Sequence, residues 1–196
     1  MKSPVSELPE VSVVIPTYNR AESLRRVLPS YIAQDCVTEI VVVDDCSRRD
    51  AWTVLKEFSG DTRGAKLVYL RNERRLLQPR CRNAGVKAST GEYVFMGEDD
   101  VELVDGHIKM LFEEMRAYKA DIAAGRRIEV WDGMRPDEAR EYADSGDGLP
   151  ILERGRIDAY FERKGEAGLT WQLHANALIR REVFDVVKYD DWYRGT

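Results

Sequence analysis

The chain has 196 residues, 43% of them hydrophobic and 33% charged, which is ordinary globular usage and about one domain's length. No apolar run approaches the ~18 residues of a membrane span, residues 1–10 form a polar tail without the apolar stretch of a secretory signal, and a net charge of −5 argues against a nucleic-acid partner, which selects basic surfaces. Three cysteines, none in a CxxC, and two distant histidines leave no zinc-type spacing and suit a reducing cytoplasm.

In chain order, Val11 to Ile15 is a β-branched run that predicts a buried strand ending at Pro16. Leu24, Val27, Leu28, Tyr31 and Ile32 recur at helical spacing and mark one face of a helix. Glu39 to Val43 is a second apolar run, followed by a helix around Trp52 and Leu55. Lys66 to Leu70 is a third run, Arg80 to Ala88 a helix, and Tyr93 to Met96 a fourth strand. Ile108, Leu111, Phe112 and Met115 mark another helix, and Ile122 to Ala124 a fifth strand. This alternation predicts an α/β fold, a mainly parallel sheet with helices on both faces. Beyond Val130 the pattern weakens: residues 132–150 read as a long loop, 151–161 as a helix and 171–179 as a strand. The expected organisation is a single domain over 11–196, with a ligand-binding half at 11–125 and a second half at 126–196.

Open parallel sheets bind ligands beyond the carboxyl ends of their strands. There the sequence places Pro16-Thr17-Tyr18-Asn19, Asp44-Asp45, Arg71 with Arg74 and Arg75, and Glu98-Asp99-Asp100. Three successive acids repel one another. Either a divalent cation, held by one or two carboxylates with substrate phosphates completing its shell, relieves them, or they form a solvated turn capping the helix near Asp105. Asp44 or Asp45 either accepts hydrogens from a nucleoside or caps the next helix, a job Ser47 could share. Tyr18 suits stacking on a base, and arginines such as Arg82 suit a diphosphate. No G-x-G-x-x-G, Walker-type loop or G-x-S-x-G occurs, so a bound phosphate would rely on metal and arginine rather than a glycine-rich cradle.

The segments VSVVIPTYNR, EIVVVDDCS and RNAGVKASTGEYVFMGEDD, in this order, with HANALIRREVF (His174 to Phe184) more loosely, resemble glycosyltransferase family 2 with its GT-A fold. The resemblance implies inverting transfer of a hexosyl group from a nucleotide-diphosphate sugar to an acceptor hydroxyl on a glycan, lipid or small molecule. Pro16, Thr17, Tyr18, Asn19, Asp44, Asp45, Arg82 and Asp99 would serve the donor. Glu98-Asp99-Asp100 falls on the family's DxD motif, with Asp100 the principal ligand and Glu98 a second ligand of Mg²⁺ or Mn²⁺. Glu98 stands where the family usually has Asp, and Cys46 where it often has Gly. The family's catalytic base lies downstream of the Arg-Arg-x-Val-Phe segment, past Thr196, which leaves Asp191 as the candidate here and implies a domain cut before its base. A non-catalytic nucleotide-sugar-binding module is the alternative, and a receiver-like phosphotransfer domain is disfavoured because the first strand ends without an acid. Trp131, Trp171 and Trp192 either stack on acceptor sugars or fill core. Peripheral membrane association is compatible with the sequence.

Overall fold

The computed structural model describes residues 8–125, 135, 138 and 176–190. Six strands are found among these residues: β1 (Val11–Thr17), β2 (Val37–Asp44), β3 (Lys66–Arg71), β4 (Tyr93–Met96), β5 (Ile122–Ala124) and β6 (Ala177–Arg180). Five helices accompany them: α1 (Ala21–Ile32), α2 (Trp52–Phe58), α3 (Gln78–Ala88), α4 (His107–Tyr118) and a single turn, α5 (Val183–Val186). The sheet order is β3-β2-β1-β4-β6-β5. β1 to β4 run parallel, and β6 inserts antiparallel between β4 and β5. All these elements belong to one compact unit. The expected helix over 151–161, the strand residues 171–175, the three acceptor-half tryptophans, Asp191 and most of 126–196 lie outside the described residues. No described helix is long and apolar enough to cross a membrane.

Alternation along each strand divides the core in two. Val11, Val13, Ile15, Ile40, Val42, Tyr93 and Phe95 pack with Leu24, Leu28, Leu55, Ile108 and Leu111 of α1, α2 and α4. Val14, Val41, Val43, Val94 and Met96 face Cys81 and Val86 of α3 and Phe184 of α5. Both sheet faces are therefore covered, which is why the strands read as nearly continuous apolar runs. Each fully buried aliphatic side chain contributes about 1.5–3 kcal/mol. α3 lies close because Gly85 presents no side chain to Val14 and Val43.

Pro16 does not end β1. The strand continues to Thr17, and Pro16 pairs in register with Val43. The Val14 carbonyl accepts from Gly97 on the β4 side, so Pro16, two residues on, turns its missing N–H toward the same side. There β4 pairing has already stopped at Val14–Met96. A proline at that position removes no ladder bond.

His107, at the start of α4, is largely buried and meets Phe95 edge-on at 6.1 Å between ring centroids. Burial holds its imidazole below the usual histidine range, so the folded chain keeps it neutral while the unfolded chain protonates near pH 6.5. Its contribution to stability is therefore present at neutral pH and lost as pH falls below about 6.5, by at most about 1.4 kcal/mol per pH unit. Urea unfolding at pH 7.5 and 5.5 should show a larger acid loss for wild type than for His107→Leu; equal losses would remove this assignment.

Candidate active site

The carboxyl ends of β1, β2 and β4 lie side by side, and contacts run across them. The Asp45 amide donates to the Thr17 carbonyl at 2.9 Å. Thr17 Oγ1 donates to Asp99 Oδ2 at 2.7 Å. Arg20, three residues past β1, places Nη1 3.3 Å from Asp99 Oδ1 and 2.5 Å from Asp100 Oδ2. Thr17, Asp45 and Asp99 are buried, whereas the Asp100 carboxyl is 40% exposed. Burial raises the Asp99 carboxyl above its usual range, while Thr17 and Arg20 pull it back.

Helix α1 and the turn that follows it hold the acidic loop in place. The Tyr31 hydroxyl accepts from the Glu98 amide at 3.1 Å and donates to the Glu98 carbonyl at 3.0 Å. Ser30 Oγ accepts from the Leu103 amide, and Gln34 bonds Val104 and Ile108. These three side chains fix the backbone of a loop that like charges would otherwise spread. The helix-capping reading of the acids is not what forms: α4 is preceded by Gly106, in a left-handed conformation and without a side chain to cap it, and the first-turn amide of Ile108 donates to Gln34 instead.

The two aspartates after β2 divide their work. Asp44 is fully buried and its carboxylate accepts from the amides of Ser47 and Ala51 and from Tyr69 and Arg71. Both oxygens organise the loop entering α2, although neither caps the helix itself: the amides they reach, of Ser47 and Ala51, precede its first turn. Asp45 Oδ1 accepts from Asn72 Nδ2 at 2.9 Å and Leu76 N at 2.7 Å, and Oδ2 from Leu77 N at 2.8 Å. It thereby builds the wall contributed by the β3–α3 loop. Leu77 adopts φ 70 and ψ 166, a region otherwise kept for glycine, and its bond to Asp45 helps hold it there.

Asn19 has φ 55, which Asn tolerates, and its amide and side chain bond Ser47 and the Arg48 amide, tying the loops after β1 and β2 together. Cys46 has φ 66, which explains why a glycine would suit its position. Tyr18 is half-buried and carries the Arg75 guanidinium 4.3 Å above its ring.

The Glu98 carboxylate is bonded on the β6 and α3 side of the loop. Its Oε1 accepts from Arg82 Nη2 at 3.3 Å and its Oε2 from Asn176 Nδ2 at 3.4 Å. Arg82, expected at a diphosphate, is buried between Glu98 and the Tyr189 ring. Tyr189 is in turn clamped through its backbone by the Asn83 amide, at 2.8 and 3.0 Å. Among the described residues no three acids, histidines or cysteines are gathered to hold a metal. Asp99 and Asp100, joined by one cation already, are the pair whose donor set fits a divalent ion that keeps most of its shell from water and phosphate.

The sequence reading gave no role in the site to Tyr31 or Tyr189, and met Arg20, Asn83 and Asn176 only as members of the segments VSVVIPTYNR, RNAGVKASTGEYVFMGEDD and HANALIRREVF, with Cys81-Arg82-Asn83 resembling a donor-side element of the family. Arg20 sits inside the motif after β1, and its charge against a remote acidic triplet was the one available signal; the others are joined to the site by separations such as 67 and 106 residues.

The family model "Glycosyl transferase family 2" matches residues 12–187. The chain belongs to glycosyl transferase family 2. Glycosyltransferase GlyA of Streptococcus pneumoniae is 32% identical over 117 residues, covering 59% of this chain and 16% of that protein. The fold resembles Staphylococcus aureus TarS residues 1–349 (TM-score 0.68, 18% identity, 95% of this chain and 52% of that one). It also resembles mannosyltransferase PcManGT of Pyrobaculum calidifontis, solved with GDP-Man and Mn²⁺ (TM-score 0.65, 19% identity, 92% and 47%). These likenesses establish the GT-A architecture. The chain spans about half or less of each of these three proteins.

Proposed function

We propose that this chain carries the donor site of a glycosyltransferase that moves a sugar from a nucleoside-diphosphate sugar to an acceptor hydroxyl on a glycan, lipid or small molecule, with inversion and with a divalent cation. The observation that carries this reading is the continuous contact from Asp45 through Thr17 to Asp99 and, by way of Arg20, to Asp100, at the strand ends where an α/β sheet takes its ligand. Family membership and the donors bound by structural neighbours, GDP-Man in PcManGT and UDP-GlcNAc in TarS, support it.

On this reading Asp45 and the loop it holds form the nucleoside wall, with Tyr18 beside it as the aromatic face. Mg²⁺ or Mn²⁺, held by Asp100 with Asp99, would supply Lewis-acid stabilisation of charge on the departing diphosphate. Thr17 and Arg20 orient those two carboxylates, and Tyr31 holds the loop that presents them, so the site is organised before a donor arrives. A carboxylate on the acceptor side would take the proton from the attacking hydroxyl; Asp191 is the candidate named by the sequence.

The test is a thermal-shift screen of UDP, GDP, dTDP and CDP, each with and without Mn²⁺. One nucleotide near 100 times its dissociation constant should add ~2.7 kcal/mol, raising Tm by roughly 5–10 °C, in a metal-dependent way. Asp100→Ala should abolish the metal dependence. No shift with any nucleotide would end the donor-site reading, and a shift without subsequent sugar transfer would favour the binding module.

A further inference from the structure

We propose that Arg20 is the resident counter-ion of the Asp99–Asp100 pair, and that a divalent cation reaches these carboxylates only by displacing it. The inference rests on the reading of this pair as metal-holding. Thr17 occupies Asp99 Oδ2, which leaves Oδ1 for Arg20, and a single Arg20 nitrogen, Nη1, is shared between Asp99 Oδ1 and Asp100 Oδ2. The position between the two oxygens is therefore filled by a positive group. A guanidinium is charged at every relevant pH, and a cation binding at ~2.0–2.1 Å from carboxylate oxygen, as Mg²⁺ does, cannot share that position with it.

The three partners differ in mobility of a useful kind. The Asp99 carboxyl is 9% exposed and held by Thr17, whereas the Arg20 side chain is 55% exposed. Arg20 has solvent to move into, and Asp99 does not. The exposed ion pair is screened, so displacing the guanidinium costs about as much as one charge-assisted hydrogen bond. A guanidinium moved off two carboxylates is then available to an anion beside them, and a nucleoside diphosphate is such an anion. Metal and nucleotide should consequently strengthen each other's binding by the same factor, and the metal alone should bind weakly.

The experiment is calorimetric titration of Mn²⁺ alone into the full chain and its variants. Arg20→Met should bind Mn²⁺ about tenfold more tightly than wild type, the factor that corresponds to about 1.4 kcal/mol, and Arg20→Gln should show the same gain. Arg26→Ala removes an equal charge from an exposed position on α1 and should leave the affinity unchanged. With UDP or whichever diphosphate binds, the mutual enhancement should shrink in Arg20→Met. Unchanged or weaker Mn²⁺ binding in both Arg20 variants, or an equal gain in Arg26→Ala, overturns the proposal. Uptake of Mn²⁺ by wild type that is lost in Asp100→Ala but indifferent to Arg20 overturns it while leaving the metal reading intact. Absence of Mn²⁺ uptake by every chain, with or without nucleotide, overturns both.

Discussion

Asp45→Ala should lower the stability of the chain by about 2–4 kcal/mol and abolish nucleotide binding. Its carboxylate accepts three hydrogen bonds, from Asn72, Leu76 and Leu77, and bonds to a charged acceptor are worth about 1.5–3 kcal/mol each before water replaces some of them. Leu76 and Leu77 are partly exposed, so replacement by water is available and the sum is discounted accordingly. Leu77 would also lose the bond that holds it at positive φ. At roughly 2–4 °C per kcal/mol for a domain of this size, the melting point should drop by about 5–15 °C. Asp45→Asn keeps one carbonyl oxygen and should recover part of the stability without recovering the donor site. A melt of Asp45→Ala that superimposes on wild type would show that the β3–α3 loop does not depend on this carboxylate.

Gly91→Ala should cost at least as much stability while leaving the site's chemistry alone. A methyl group there would stand 2.6 Å from the Ser12 amide nitrogen and 2.8 Å from the Glu10 carbonyl oxygen. Both are backbone atoms of the central strand and its entry, which cannot rotate away. The turn would have to lift, and with it the Gly91 amide bond to Ser12 Oγ, the Thr90 amide bond to Glu39 and the Arg181 contact with the Gly91 carbonyl. Glu39 is buried and bonded to Ser12 at 2.8 Å, and disturbing the partners of a buried charge costs about 3–5 kcal/mol. A loss of Tm of roughly 10–15 °C is expected. Because Gly91 lies at the amino ends of the strands, about 20 Å along a seven-residue strand from Thr17, nucleotide affinity measured well below the melting point should be nearly that of wild type. A variant that melts normally would contradict the close approach, and one that folds but no longer binds nucleotide would contradict the separation of the two ends.

The pairing of these two predictions reflects a division along the strands. Their amino ends carry a polar knot, buried Ser12 and Glu39 with Thr90 and Arg181 around them, that serves stability, and their carboxyl ends carry the acids and arginines of the candidate site. A screen that reports both melting point and nucleotide shift separates the two, because a defect at the first end lowers the one without altering the other.

Much of this was legible in the sequence. Doubly covered parallel strands must be apolar on both faces, so Val11 to Ile15, Glu39 to Val43 and Tyr93 to Met96 announced themselves. The helices betrayed their buried stripe through spacing such as Leu24, Val27, Leu28 and Tyr31. The order of strands and the residues immediately after them then named the rim where Thr17, Asp45, Asp99 and Asp100 meet. The sequence could not show that Pro16 lies within β1, because only the register reveals that β4 has ended beside it. Nor could it show that β6, more than fifty residues beyond β5, inserts between β5 and β4 and brings Asn176 to Glu98. Local propensity determines which residues form a strand or a helix. Side-chain partners such as Arg20 for Asp100, Arg82 for Glu98 and Asn83 for Tyr189 are chosen by distance in space, and distance in space is fixed only when the sheet has been assembled.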